Sequence, residues 1–143
     1  MKLSEILERS NCPRPNWDAY VRRDQIPFMR RDTGSSRDPF SEVHLVAFRA
    51  FLLLRKMGLE AAIAGEAVNA SFGALTSMLT ANDAVAAPAV GVRLVADPVS
   101  GDAVFDYLGW GNAEFCDLPE LGRIAVDARQ LMGVAPSNRS EAA

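Results

Sequence analysis

The residues best suited to chemistry lie between positions 16 and 23. They are Asn16, Asp18, Ala19, Arg22 and Arg23. Arginine and asparagine donate hydrogen bonds that match phosphate oxygens and the acceptors of the major groove, and an aspartate can accept from the amino group of cytosine. At 100° per residue, a helix over 16–24 would turn this set away from Trp17, Tyr20 and Val21. The spacing therefore predicts that these three side chains pack inward and that the polar face is open to a polyanion.

A second group of cations follows within residues 29–40. It consists of Arg30, Arg31 and Arg37. A Thr-Gly-Ser-Ser stretch at 33–36 separates two short extended runs, which is typical of a two-stranded hairpin. A hairpin beside the polar helix would place its arginines where they could bind phosphates.

The elements that must position these groups can be predicted from periodicity. Residues 3–9 fit a short amphipathic helix, and Pro13 and Pro15 flank the turn into the second helix. Ser41 is a suitable N-cap for a helix over 42–57, which ends at Gly58. That third helix has apolar residues on two sides, so it needs cover on both.

The rest of the chain predicts a helical segment followed by a small α+β part. Residues 60–81 are alanine-rich and predict one or two helices, with Gly65 and Gly73 as weak points. Residues 82–89 fit a linker, and 90–96 and 103–108 fit a β-hairpin that must dock or pair with another copy. Pro119 predicts the start of a last helix ending near Met132, with a frayed tail over 133–143. The predicted fold class is α+β, mainly α.

Charge divides the chain more sharply than its net value of -3 suggests. Through Gly58 there are eleven Lys and Arg against seven acids, a balance of +4, whereas the remainder balances at -7. The basic part is the candidate polyanion binder, since a basic patch is the electrostatic signature of nucleic-acid binding. The acidic part could dimerise the protein or receive a small effector or a protein partner.

Three stretches carry a resemblance to a known family. The first is residues 3–7, Leu-Ser-Glu-Ile-Leu, and the second is residues 17–27, from Trp17 to Pro27. The third consists of Gly34, Arg37, Phe40 and Ser41 together with residues 53–59. Together they resemble the winged helix-turn-helix domain of MerR-type regulators over roughly the first 65 to 70 residues. The resemblance implies that the second helix enters the major groove and that the hairpin wing contacts the DNA backbone. It assigns Arg22, Arg23, Arg30, Arg31 and Arg37 to DNA.

These observations predict a cytoplasmic, sequence-specific transcriptional regulator of bacterial or phage type that binds double-stranded DNA as a homodimer. The predicted organisation is a winged helix-turn-helix over 1–70, a helix and linker over 71–89, an appendage over 90–132 and the tail. Two alternatives stay open. One is an architectural or processing factor, such as an excisionase or a small-terminase-like subunit, which would bend DNA at many sites.

The other alternative is a protein-interaction adaptor that has lost DNA binding. It depends on Asp18 and Asp24, which are two of three departures from the family pattern. Asp18 stands where the family usually has arginine, Ala19 where it often has tyrosine, and Asp24 where glycine commonly ends the helix. An adaptor would show no salt-dependent affinity for DNA.

Enzymatic and metal chemistry receive little support, and no catalytic residue, metal site or cofactor is predicted. His44 is the single histidine and is expected on the surface or in a helix cap. Cys12 and Cys116 lack paired spacing, so a structural role is favoured over redox sensing at the turn near Cys12. Gly109-Trp110-Gly111 lacks a phosphate-loop pattern. The acids of 97–117 are expected to be solvated, and no run is long enough to span a membrane.

Overall fold

The protein is a mixed α+β structure, seen in a computed structural model that describes residues 1–30, 39–81, 89–108 and 118–132. The helices and strands within these ranges follow in the order α1 (Leu3–Ser10), α2 (Arg14–Arg22), a 3-10 turn (Pro27–Met29), α3 (Glu42–Lys56), α4 (Ala61–Ala81), β1 (Ala89–Ala96), β2 (Ala103–Tyr107), β3 (Glu120–Asp127) and α5 (Ala128–Met132). The predicted fold class is therefore confirmed at the level of α+β.

Both N-terminal helices end on a residue with left-handed backbone. Asn11 has φ 54° after α1, and Asp24 has φ 52° shortly after α2. After α2, the amide of Asp24 donates to Val21 O and that of Gln25 to Tyr20 O, at 3.1 and 3.0 Å. These bonds satisfy carbonyls that the helix end would otherwise leave open. These bonds fix the C-terminus of the second helix. Its last residue is Arg22, two residues before the predicted end at Asp24.

The prediction that Val21 packs inward is wrong, because its side chain is 51% exposed. Val21 lies about 40° around the helix from Trp17 and on the side away from Tyr20. The core contacts the Trp17 and Tyr20 side of α2, so Val21 is left at the edge of an open groove beside Pro27.

The third helix begins with the predicted cap and forms the centre of the core. The backbone amide of Ser41 donates to Nδ1 of His44 at 3.0 Å, and the Ser41 hydroxyl lies 3.1 Å from the same nitrogen. The largest buried side chains of α3 are Leu45, Phe48, Phe51 and Leu54. Contacts from α1, α4, α5 and β3 cover the helix on more than one side, as its two apolar stripes require.

The alanine-rich segment forms one helix rather than two, and Gly65 is a packing position within it. A Cβ at residue 65 would lie 1.8 Å from the carbonyl oxygen of Gln25, whereas a Cβ at Gly73 would meet nothing within 4 Å. Gly65 therefore lets α4 approach the backbone that follows α2. The predicted boundary between residues 70 and 71 falls inside this helix.

The C-terminal region contains a three-stranded antiparallel sheet in the order β2-β1-β3. The predicted hairpin of β1 and β2 is present, with Val92 opposite Tyr107, and Val92 also lies opposite Ile124 of β3. The predicted last helix from Pro119 is wrong, since residues 120–127 form β3 and only Ala128–Met132 is helical. Pairing with β1 outweighs the local helix-start signal of Pro119.

One apolar core joins the N-terminal helices to the sheet. Buried Val90, Val92 and Val126 belong to the same cluster as Trp17 and Phe48. The hairpin therefore docks on the helices, α4 above all. No helix in the described part of the chain combines the length and apolarity that crossing a membrane requires.

Several predictions fall on residues outside the described ranges. They are most of the hairpin wing (31–38), the linker (82–88), the Gly109-Trp110-Gly111 segment with Cys116 (109–117), and the tail (133–143). Arg31 and Arg37 belong to this group.

Candidate nucleic-acid interface

The inner face of α2 is held by edge-on aromatic contacts. The ring of Trp17 lies 5.2 Å from that of Phe48 and 6.0 Å from that of Phe40, and the ring of Tyr20 lies 4.9 Å from that of Phe51. Edge-to-face pairs at these distances add to the free energy gained by burying the rings. The predicted packing of Trp17 and Tyr20 is confirmed, and the contacts fix the rotation of α2 about its own axis.

The outer face of α2 is polar and open. Asn16, Asp18, Arg22 and Arg23 are exposed, and Ala19 is half-buried. Helical geometry arranges the face in two rows: Arg14, Asp18 and Arg22 stand four residues apart in one, while Ala19 and Arg23 form the other. All five predicted residues of this helix region therefore lie in or beside a single surface.

The two aspartates of this surface are each paired with an arginine. Nε of Arg14 lies 3.1 Å from Oδ1 of Asp18, and a guanidinium nitrogen of Arg30 lies 3.7 Å from Oδ1 of Asp24. All four side chains are more than half exposed, and such surface pairs contribute at most about 1 kcal/mol. The aspartates are thus electrically balanced, while their arginines can exchange partners at little cost.

Arg22 and Arg23 have no ion-pair partner within the described residues. Their guanidinium groups extend from the last turn of α2 and the residue that caps it. A guanidinium presents a rigid fork of donors that suits phosphate oxygens and the acceptor edge of guanine. These two side chains are the strongest candidates for contact with a polyanion.

Further cations flank the surface and were not assigned from the sequence. Asn16 shares a groove with Arg55 and Lys56 from the end of α3. The Arg55 guanidinium donates to the carbonyl of Leu59 at 3.0 Å, so it also links the end of α3 to the segment that leads into α4. Local pattern could not place Arg55 and Lys56 beside α2, because their proximity to Asn16 depends on tertiary packing.

Arg14 is the other residue that sequence reasoning missed. The helix predicted from the sequence begins at Asn16, which leaves Arg14 in the preceding turn, but Arg14 is the first residue of α2. The signal was available in the spacing of Arg14, Asp18 and Arg22, since residues four apart are neighbours on a helix.

The isolated candidates for other chemistry have structural roles. His44 caps α3, in agreement with the prediction, and its ring lies 5.6 Å from Phe40 and 5.4 Å from Phe72. Cys12 is buried, and burial raises the pKa of its thiol against a smaller opposing effect of the Trp17 amide. A raised thiol pKa leaves less of the reactive thiolate, which favours the structural interpretation of Cys12.

The acids of the C-terminal half also form structural contacts. The expectation that these acids are solvated is wrong for Asp106, which is buried and accepts from Nε of Arg93 at 2.7 Å; this ion pair compensates for its burial. Asp97 accepts from the amide of Val99 at 2.9 Å. Across the described ranges, no three His, Cys, Asp or Glu side chains lie close enough together to hold a metal ion.

Comparisons of the chain with protein-family models, with curated proteins and with solved structures give no match.

Proposed function

We propose that this protein is a sequence-specific regulator of transcription, of bacterial or phage type, that reads double-stranded DNA with α2 of a MerR-like winged helix-turn-helix domain. The observation that carries the proposal is the division of α2 into two faces. Aromatic contacts fix one face against the core, and exposed Arg22 and Arg23 without ion-pair partners in the described structure stand on the other.

The order and lengths of the first helices also support this function. α1 and α2 are separated by a three-residue turn, and α3 packs against α1. In a helix-turn-helix the second helix lies in the major groove and the first crosses the DNA backbone. A nine-residue α2 is about 13 Å long, which is enough to follow a few base pairs within the groove.

Each part of the surface has a distinct task in this proposal. Arg22, Arg23 and Asn16 address base edges and nearby phosphates, with Asp18 among the base-facing residues. Arg30, Arg31 and Arg37 hold phosphates from the wing, which follows α2 in the chain. Phosphate contacts supply affinity and register, whereas base contacts supply specificity.

We further propose that the protein acts as a homodimer and that the acidic C-terminal half forms the dimer contact or receives an effector or protein partner. One small reading head buries little surface on DNA, and two heads on adjacent half-sites multiply the affinity. The exposed apolar side chains Phe105 and Leu121 of the sheet are available for such a contact.

The direct test is capture of fragmented genomic DNA from the source organism at two salt concentrations, followed by sequencing of the retained fragments. The test variant is Arg22→Ala/Arg23→Ala. The matched control is Arg123→Ala/Arg129→Ala, which removes the same charge from β3 and α5. We expect discrete sites with the native protein and the control, and their loss with the test variant.

The salt series gives an independent readout. Each phosphate contact that is removed should reduce the slope of log affinity against log salt by about 0.9. Equal retention of DNA by both double variants would show that α2 is not the reading element. Absence of retention at either salt concentration would contradict DNA binding and favour the adaptor alternative.

A further inference from the structure

The paired state of Asp18 is informative because an acid is an unfavourable residue on a surface that meets phosphates. Its side chain is 52% exposed, and Arg14 contacts only Oδ1. Within the described residues, Oδ2 has no hydrogen-bond donor. One oxygen of the carboxylate is thus held by Arg14, and the other is available to accept.

Arg14 changes what Asp18 can do near DNA. A lone carboxylate would be repelled by the phosphates. The ion pair of a carboxylate with a guanidinium has no net charge, so it can approach the groove without this repulsion. The Arg14 guanidinium also favours the Asp18 rotamer in which Oδ1 faces it, because the two residues lie one turn apart with Nε and Oδ1 at 3.1 Å. Asp18 is therefore presented as an acceptor at the middle of α2, on the exposed face that the proposed function turns toward the base edges.

The base that offers a donor without an adjacent acceptor in the major groove is cytosine, through its N4 amino group. We propose that Asp18 selects a cytosine, and hence a C·G pair, at one fixed position of each half-site, with Arg14 as the residue that positions it. This inference rests on the proposed DNA-binding function and names the base pair that the site selects.

The test is selection of bound duplexes from a random-sequence library by the full-length native protein and by the Asp18→Asn variant. Asparagine pairs with adenine through N6 and N7. We expect one position of the half-site to change its preference from cytosine to adenine, by about tenfold in relative affinity, while the other positions stay the same. Circular dichroism would verify that this surface substitution leaves the fold intact.

The matched control is Asp24→Asn. It removes the same charge from a second aspartate that is also paired with an arginine, but Asp24 lies beyond the end of α2. We expect this control to change the affinity for all sequences alike and to leave every base preference as it is.

Arg14→Ala and Arg14→Lys test the positioning role. Arg14→Ala should keep the selected position but reduce its discrimination for cytosine several-fold, and lysine should restore part of it, since it retains the charge without the planar fork. A structural role alone would alter stability without affecting one base position.

The outcomes separate the two proposals. Failure of the native protein to select any duplex would overturn both the DNA-binding function and this inference. Selection by the native protein with an unchanged motif in Asp18→Asn would overturn the role of Asp18 and leave the DNA-binding function standing. A uniform rise in affinity that equals that of Asp24→Asn would identify Asp18 as a repelling charge and also overturn the inference.

Discussion

His44 links the start of α3 to pH. Burial first, and then the positive α-ammonium of Met1, lowers the pKa of His44 below its usual value near 6.5. Below about pH 6.5 the folded state therefore binds fewer protons than the unfolded state. The free energy of unfolding then decreases as the pH falls from there through the lowered pKa of His44. We expect the full contribution of neutral His44 to the free energy of unfolding above about pH 6.5, and a smaller free energy of unfolding below it. Urea denaturation at a series of pH values checks this.

Two variants separate protonation from capping. Glutamine at this position of a capping box can accept from the Ser41 amide but does not titrate, so His44→Gln should remove the pH dependence below about pH 6.5 that His44 causes. His44→Ala should lose the cap at every pH, at a cost of about 1 kcal/mol. An unchanged pH dependence in His44→Gln would show that another group is responsible.

Tyr107 joins the sheet to α4 through a carboxylate. Its hydroxyl donates to Glu66 at 2.5 Å, and burial, this hydrogen bond and the charge of Glu66 raise the pKa of Tyr107 to about 12. The folded state favours the protonated phenol, so the associated stability is complete below about pH 10 and is lost as the pH approaches 12. We expect tyrosinate absorbance to show a late titration that is absent from Tyr107→Phe.

The variant Glu66→Gln refines this prediction. Glutamine can still accept the hydrogen bond but carries no charge, so the pKa of Tyr107 should decrease without reaching its ordinary value, because burial persists. If Glu66→Gln leaves the titration unchanged, burial and the hydrogen bond account for the shift and the charge of Glu66 does not contribute.

Residue types and spacing predicted much of the candidate surface. The inward Trp17 and Tyr20, the outward Arg22 and Arg23 and the cap at His44 all follow from local pattern. The exposure of Val21 could not be predicted in this way, since helical periodicity gives an angular position but not the direction from which the core approaches. The ion pair of Asp24 with Arg30 spans the end of a helix, where periodicity no longer applies.

At the scale of elements, the contact between α4 and the end of α2 depends on the absence of a side chain at residue 65. We expect Gly65→Ala to destabilise the protein by about 1–3 kcal/mol, because the methyl group would displace the backbone at Gln25. The displacement should also weaken the proposed DNA binding, since Gln25 ends the hydrogen-bonded turn after α2. Thermal unfolding and DNA titration of the same variant measure both effects.

Gly73 provides the control within the same helix. A Cβ there meets nothing within 4 Å, so Gly73→Ala should stabilise the protein by up to about 1 kcal/mol through helix propensity alone. Similar effects of alanine at both positions would contradict the close approach at Gly65.

The elements differ in how far the sequence could predict them. α1, α3 and the β1–β2 hairpin are set by local periodicity and turn residues, and each was predicted within a few residues. β3 was missed because its identity depends on pairing with β1, more than twenty residues earlier, as in Val90 opposite Val126. Ile124 and Val126 alternate as in a strand, but Pro119 favoured a helix start when only neighbouring residues were considered.

At the scale of the whole molecule, a homodimer implies a particular DNA footprint. We expect sedimentation equilibrium to give twice the 15.5 kDa chain mass at micromolar concentration. The selected sites should then be palindromic, with half-site centres about 10 base pairs or a multiple of that apart. A monomeric mass both with and without DNA would contradict the dimer while leaving the reading helix in place.

The shared core also determines what happens when the chain is divided. Cleavage between α4 and β1 would leave buried Phe48 and Leu75 on one piece, and Val92 and Leu131 on the other. Neither piece retains the neighbours that cover these side chains, so each alone would expose apolar surface. The same surface would drive the two pieces back together when they are produced side by side. Two fragments divided between α4 and β1 are therefore expected to associate when they are produced together, and the proposed DNA binding should return only when they do.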